Sequence, residues 1–266
     1  QKYGPGDTVN VSVKVQPIEG KLQGGTVTVI EPLTHDICKL TIELAAPIRF
    51  WAGQYVDLEV PGHGVTRAYS MASPPNGGTT LAFIIKQYAD GAFSALLSGI
   101  LKPGDAIVAK GPYGTCFRRE ARTGPLVLIG GGSGMSPLWA ILKDHIESGE
   151  QRPIRFFYGA RTRKDLFFLD EFAAITAKLT DFEFIPVLSQ ATPEDDWSGE
   201  TGFVHEAADR ILRAQGLPGV VDAYTCGPPP MIDALLPVLQ GLGVALDHTY
   251  VDKFTPASAS TPNLVH

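Results

Sequence analysis

The pattern that most restricts the fold is a change of period near residue 122. Before it, apolar and polar residues alternate at every second position, in TVTVIE (26–31), ICKLTIEL (37–44), QYVDLEV (54–60), LAFIIKQ (81–87) and DAIVAK (105–110). Successive side chains of a strand point to opposite faces, so this period predicts half-buried strands; short ones broken by turn residues fold as an antiparallel barrel or sandwich. One helical stretch, FSALLSGIL (93–101), interrupts them and stops at Lys102-Pro103-Gly104. After ARTG (121–124) short apolar runs alternate with helical ones. PLVLIGGG (125–132) precedes SPLWAILKDHI (136–146), IRFFYGA (154–160) precedes DLFFLDEFAAITAKL (165–179), FEFIPVLS (182–189) precedes VHEAADRIL (204–212), and DAYTCG (222–227) precedes PPMIDALLPVLQ (229–240). Four strand–helix repeats predict a parallel sheet covered on both faces.

The chain has 266 residues, 44% of them hydrophobic, which is enough for two ordinary cores. Its net charge of −6 speaks against a nucleic-acid binder, which carries a basic face. Cys38, Cys116 and Cys226 are odd in number and far apart, which suits a reducing cytoplasm rather than a disulfide framework or a metal cluster. The six histidines make no HxxH or HxxxH pair, so no metal site is expected. No apolar run has the eighteen or so residues needed to cross a bilayer, and no membrane partner is expected. The chain opens at Gln1 with the alternating run VNVSVKV close behind, as a fragment of a longer polypeptide would.

Three stretches carry chemistry. Residues 67–73 read RAYSMAS, placing a cation, a flat ring and a hydroxyl within four positions. That set suits a ligand with a phosphate at one end and a planar ring at the other; an ordinary strand end with a surface arginine would read the same. LVLIGGGSGMSPLWAIL sets Gly130, Gly131, Gly132 and Gly134 where a strand turns into a helix. Glycine lets the backbone approach a diphosphate, and the first free amides of the helix supply donors. The third glycine of the usual dinucleotide fingerprint is replaced by Pro137, and Arg161, Arg163 and Lys164 stand where a ribose-binding carboxylate is expected, with Asp165 just beyond. This basic cluster reads equally as a solvated loop. In TCGPPPMIDA (225–234), Cys226 ends a buried strand, as a small apolar filler or as a group at the mouth of the sheet.

RAYS, DGAFS (90–94), GPYG (111–114), GGGSGMSP, YGAR and CGPPPM, in this order, closely resemble the ferredoxin–NADP reductase superfamily. Within it the chain is similar to the reductase components of bacterial multicomponent monooxygenases of the phenol, methane and alkene type, a likeness strengthened by YVDKFTPAS (250–258). The resemblance covers about residues 22–258. It implies a ferredoxin–NADP reductase-like chain with an antiparallel β-barrel binding FAD (22–121), then an α/β parallel-sheet domain binding nicotinamide (122–258). Residues 1–21 would be a linker or the end of a missing ferredoxin domain, and residues 259–266 a loose tail.

The resemblance also implies roles. Arg67 would contact the FAD diphosphate, Ala68 and Tyr69 would line the flavin, and the Ser70 hydroxyl would lie near flavin N5. Gly91, Ala92, Phe93 and Ser94 would open the barrel's helix with amides toward the same diphosphate, with Ser94 as an N-terminal cap and Lys86 adding charge. Gly131, Gly132, Ser133, Gly134 and Ser136 would take the coenzyme diphosphate; Arg161 and Arg163 would meet the 2′-phosphate of NADPH, whereas Asp165 would bond the free ribose hydroxyl of NADH and repel that phosphate. Cys226, Gly227, Pro228 and Met231 would meet the nicotinamide end. Phe254 would cover the flavin, or alternatively plug the C-terminus. Ser70, Cys226 and Phe254 are thus the expected catalytic residues, with a cysteine nucleophile as the rival chemistry at residue 226. NADH is expected over NADPH. Electrons would pass singly from FAD to an iron–sulfur domain or ferredoxin and on to an oxygenase, a [2Fe–2S] centre belonging only to a missing N-terminal domain. A stand-alone flavin reductase, a haem-protein reductase module and a non-enzymatic nucleotide-binding module are the alternatives.

Overall fold

The computed structural model describes residues 20–120 and 122–255; the expected linker up to residue 19 and the tail at 259–266 lie outside the described residues. The first sheet is built from β1 (Lys21–Pro32), β2 (Ile37–Leu44), β3 (Tyr55–Val60), β4 (Val65–Ser70), β5 (Thr80–Lys86) and β6 (Ala106–Tyr113). Its order is β4-β3-β6-β1-β2-β5, with every neighbouring pair antiparallel. The sheet curls until its edges meet just past β4, where Met71 bridges Phe83 and the Ala72 amide donates to the Ala82 carbonyl at 2.7 Å. A barrel rather than a sandwich results, and it is filled by the inward faces of the strands, among them Leu40, Ile42, Val56, Leu58 and Phe83. Helix α1 (Ala92–Gly99) closes one end with Phe93, Leu96 and Leu97. β1 begins at Lys21, one residue ahead of the expected barrel start, and a bulge at Val27–Val29 lets this long strand bend.

The second sheet is parallel: β7 (Leu126–Gly131), β8 (Ile154–Ala160), β9 (Phe182–Leu188), β10 (Glu200–Thr201), β11 (Asp222–Gly227) and β12 (Thr249–Lys253), in the order β10-β9-β8-β7-β11-β12. Helices α2 (Met135–Ser148) and α3 (Leu169–Thr176) build one core and α4 (Val204–Gln215) and α5 (Pro229–Gly241) the other. The α2 core also takes in Ile37, Ala52, Ala72 and Ile84 of the barrel, so one apolar seam joins the two halves.

Three elements differ from the sequence reading; one is the two-residue strand β10, which lies in the stretch between 189 and 204 where no strand was expected. The helix expected over 165–179 is confined to Leu169–Thr176, because Leu166 and Phe167 are buried in an extended approach and Phe168 takes φ 61°. YVDK, read only as part of a terminal motif, is the sixth strand, paired in register with β11 from Ala223–Thr249 to Gly227–Lys253.

Candidate functional site at the switch point

The parallel sheet reverses direction at β7: β8, β9 and β10 follow on one side, β11 and β12 on the other. A ligand of such a sheet binds outside the carboxyl ends of the strands at this reversal. The glycine run lies there. A single 3-10 turn at Gly132–Gly134 leads into α2. Gly132 adopts φ +57°, which only glycine holds without strain, and the space where its side chain would point is open. Gly134 packs so closely on the Cys226 carbonyl that a Cβ would overlap it, which welds the turn to the end of β11. Gly131 is buried and Ser133 half-buried at the same turn.

Ser136 corrects the sequence reading. Its hydroxyl is buried, donating to the Ser70 carbonyl at 2.7 Å and accepting from the Ile84 amide at 3.1 Å. It clasps α2 to two barrel strands and is not free for a diphosphate.

On the barrel side, alternation along β4 places Arg67 and Tyr69 on one face and Ala68 and Ser70 on the other. The Arg67 guanidinium reaches only its neighbour's carbonyl, Thr66, at 2.8 Å, and makes no ion pair among the described residues. The Tyr69 ring packs on Phe93 with centroids 5.0 Å apart, which brings RAYS against the first turn of α1. Burial pushes the Tyr69 phenol well above its usual range, so it is a hydroxyl donor. Gly91 caps α1 without a side chain, leaving the amides of Ala92, Phe93 and Ser94 without intrahelical acceptors. Two expectations fail here. Ser94 is not the cap, because its hydroxyl accepts from the Tyr88 amide at 2.9 Å in the preceding loop. Lys86 is paired with Asp36 at 2.9 Å and does not stand free to add charge to a diphosphate.

The two halves meet at Ser70. Its hydroxyl donates to Asp252 at 3.2 Å, and Asp252 lies in register beside Cys226 on the adjacent strand. Asp252 was missed by the sequence reading; the only signal was its place in the terminal YVDKF run. Burial raises its carboxyl above the ordinary carboxylate range against the lowering hydrogen bond from Ser70. Cys226 is fully buried, with its Sγ 3.9 Å from that of Cys116. Burial first, and the neighbouring thiol second, push it far above a normal thiol, so it stays protonated and the nucleophile reading fails. Gly227 and Met231 pack together beside it, and Pro228 starts α5. The Phe254 amide donates to the Gly227 carbonyl at 2.9 Å, holding its half-buried ring at the same mouth.

Beyond β8, Arg161 lies 3.5 Å from both Asp36 and Asp165. One oxygen of Asp165 is taken by the Thr162 amide and hydroxyl, at 2.9 and 3.0 Å. Arg163 is occupied by the Asp195 carbonyl at 3.0 Å.

A curled antiparallel barrel joined to a parallel sheet, with a glycine turn and a cysteine at the switch point, defines the class of two-domain flavin- and nicotinamide-dependent oxidoreductases. The chain matches the oxidoreductase FAD-binding domain over residues 25–117 and the oxidoreductase NAD-binding domain over residues 128–236. It is 38% identical over 245 residues to the reductase component of propane 2-monooxygenase from Mycolicibacterium smegmatis, covering 91% of this chain and 69% of that one. It is 40% identical over 234 residues to the reductase component DmpP of phenol 2-monooxygenase from Pseudomonas sp. strain CF600, covering 88% and 66%. Among solved structures it resembles the ferredoxin reductase in carbazole 1,9a-dioxygenase, with a TM-score of 0.80 and 30% identity over 92% of this chain and 74% of that one. The chain belongs to the family of FAD- and NAD-binding oxidoreductases that includes these reductase components. It spans about two thirds of the length of the curated relatives it matches.

The residues fit both cofactors. The open space at Gly132 and the free first-turn amides of α1 are two places where backbone donors stand ready for phosphate oxygens. The buried Thr225 hydroxyl, next to Cys226, has no partner among the described residues. No helix among the described residues is long and apolar enough to cross a membrane.

Proposed function

We propose that this chain is the flavin- and nicotinamide-binding part of an NADH-dependent reductase that passes electrons singly to an iron–sulfur centre and on to an oxygenase component in the cytoplasm. The observation that carries the reading is the meeting of Ser70, Asp252 and Cys226, one group from the barrel and two from the parallel sheet, where the two halves abut. The chemistry such a site needs, uptake of a hydride and its release as single electrons, would be supplied by bound FAD.

The chain's own residues do the rest. Arg67 and the amides of Ala92, Phe93 and Ser94 hold the FAD diphosphate by charge-assisted and helix-start hydrogen bonds. Tyr69, backed by Phe93, lines the ring side. Gly132 and Ser133, with the first amides of α2, hold the coenzyme diphosphate. The Ser70 hydroxyl is oriented by Asp252, so it presents its oxygen, rather than its proton, toward the reacting ring. Cys226 is a neutral, compact wall beside the nicotinamide. Phe254, anchored through Gly227, covers the ring face until the coenzyme displaces it. Asp165 and Arg161 meet the adenosine ribose. Hydride transfer asks for proximity and orientation rather than a strong base, which suits a site whose thiol is protonated.

The test is an absorption spectrum of flavin-loaded protein before and after anaerobic NADH. Bleaching of the flavin bands supports the reading; a bound flavin that NADH does not bleach overturns it. Reduction of an added plant-type ferredoxin, or of an iron–sulfur segment of the same polypeptide, then tests the electron route.

A further inference from the structure

Five charged or titratable groups from both halves converge beyond the end of β8. His35 and Asp36 come from the turn between β1 and β2, Lys86 from the end of β5, and Arg161 and Asp165 from the segment after β8. Asp36 lies 2.9 Å from Lys86 and 3.5 Å from Arg161; Asp165 lies 3.5 Å from Arg161 and 3.8 Å from His35. His35, Asp36 and Asp165 offer ligand atoms within 4.8 Å of one another. Lys86 already sits on Asp36 and Arg161 on both carboxylates, so the cluster holds its own cations.

The end of the second strand of a nucleotide-binding sheet is where NADH and NADPH are told apart: a carboxylate bonds the free 2′-hydroxyl, and an arginine accommodates the 2′-phosphate. Arg161 is the first residue after β8, and Arg163 is occupied by Asp195. Left alone, Arg161 would favour NADPH. It is not left alone, because one carboxylate of its own loop and one reaching over from the barrel face it. Burial pushes the Asp36 carboxyl up, but Lys86, His35 and Thr34 together outweigh this and hold it below the usual range, so it is charged at neutral pH.

We propose that Asp36, a residue of the flavin barrel, is a coenzyme-selecting residue: its charge neutralises Arg161 across the domain seam and repels a 2′-phosphate, steering the site to NADH. This rests on the proposed function, since it needs the adenosine end of the coenzyme beyond β8. The barrel thus takes part in reading the coenzyme as well as in holding flavin. Repulsion between exposed charges is screened by salt, so the selectivity weakens as ionic strength rises.

The test substitutes Asp36→Asn, which keeps an oxygen for the Thr34 hydroxyl, removes the charge and releases Lys86 together with Arg161. Calorimetry with adenosine 2′,5′-bisphosphate and with 5′-AMP measures the preference without flavin chemistry, and kcat/KM with NADPH and NADH measures it in the loaded protein. The ratio of the two affinities, and of the two kcat/KM values, should move toward the 2′-phosphorylated ligand by on the order of tenfold at low salt, and by less at about 0.5 M salt. Because Asp36→Asn also releases Lys86, the control is run in a Lys86→Ala background: Asp36→Asn should still give the gain there, and adding Arg161→Ala should abolish it. An equal loss for both ligands would make Asp36 a domain latch and overturn the proposal, as would a gain that persists without Arg161. Wild-type protein that binds neither adenosine ligand overturns the proposed function and this inference together; binding of both with an unchanged ratio overturns this inference alone.

Discussion

Replacing Ser136 by alanine removes one hydroxyl and leaves two strands of the barrel with unmet backbone groups. The Ile84 amide loses its acceptor at 3.1 Å and the Ser70 carbonyl a donor at 2.7 Å. Ser136 is 1% exposed, so bulk water does not replace the lost group. A buried amide without a partner costs about 1–3 kcal/mol, and the weakened carbonyl adds about 0.5–1.5 kcal/mol, so the expected loss is about 3 kcal/mol. For a chain of this size each kcal/mol moves the melting midpoint by about 2–4 °C, which gives a fall of about 6–12 °C. The loss falls on the seam between α2 and the barrel, far more than on either core. The assay is a thermal melt of the wild type and Ser136→Ala, paired with ADP binding by calorimetry. A midpoint lowered in this range with ADP affinity changed less than about threefold, or about 0.7 kcal/mol, is the expected result. A midpoint within 2 °C or so of the wild type (about 0.5–1 kcal/mol), together with much weaker ADP binding, would refute the argument and return Ser136 to the diphosphate site.

Arg67→Ala removes a charge-assisted contact worth about 1.5–3 kcal/mol, so FAD should bind about 10–150-fold more weakly in a fluorescence titration of the apoprotein; full flavin retention would count against Arg67 as a phosphate ligand. Gly134→Ala drives a methyl group into the Cys226 carbonyl, which should cost about 1–3 kcal/mol of stability and slow flavin reduction by NADH in stopped flow; a variant matching the wild type in both would show that the turn is slack. Asp252 has a carboxyl raised by burial, so its contribution to stability is full below the ordinary carboxylate pKa and is lost as pH rises through the higher folded value. Asp252→Asn keeps an oxygen for Ser70 and no longer titrates, so its stability relative to the wild type should rise between pH 4 and pH 7; a constant difference in denaturant melts would contradict the assigned shift.

Much of the fold was legible because it is written in local periods. Period two gave the barrel strands, with Ile37–Leu44 read to the residue, and short apolar runs gave Ile154–Ala160 and Asp222–Gly227 of the second sheet equally closely. Runs of strand then helix gave the parallel sheet. The misreadings arose where tertiary burial overrode local pattern. Leu166 and Phe167 continue a helical rhythm in sequence, yet the core takes them as an extended plug, and the helix starts at Leu169, four residues after the expected Asp165. β12 is too short and too mixed in polarity to announce itself; it is a strand because β11 offers it an edge.

The site divides along the same line. Motif residues such as Arg67, Gly132 and Cys226 stood out, because glycine runs and a cation beside an aromatic are unusual locally. What pairs with them did not. Ser70 and Asp252 are 182 positions apart, Ser136 and Ser70 are 66 apart, and Asp36 meets Arg161 only once the barrel has docked. Asp252 and Asp36 are ordinary aspartates in sequence, and their charge states follow from partners and burial that the chain acquires on folding. Ser136 and Lys86 went astray for a related reason: each has the right chemistry for a phosphate, but Ser136 is claimed by barrel backbone across the seam and Lys86 by Asp36 within the barrel. A polar residue in a binding motif is therefore a ligand candidate only if folding leaves its donor unspent, and in this chain Arg67 passes that test while Ser136 does not.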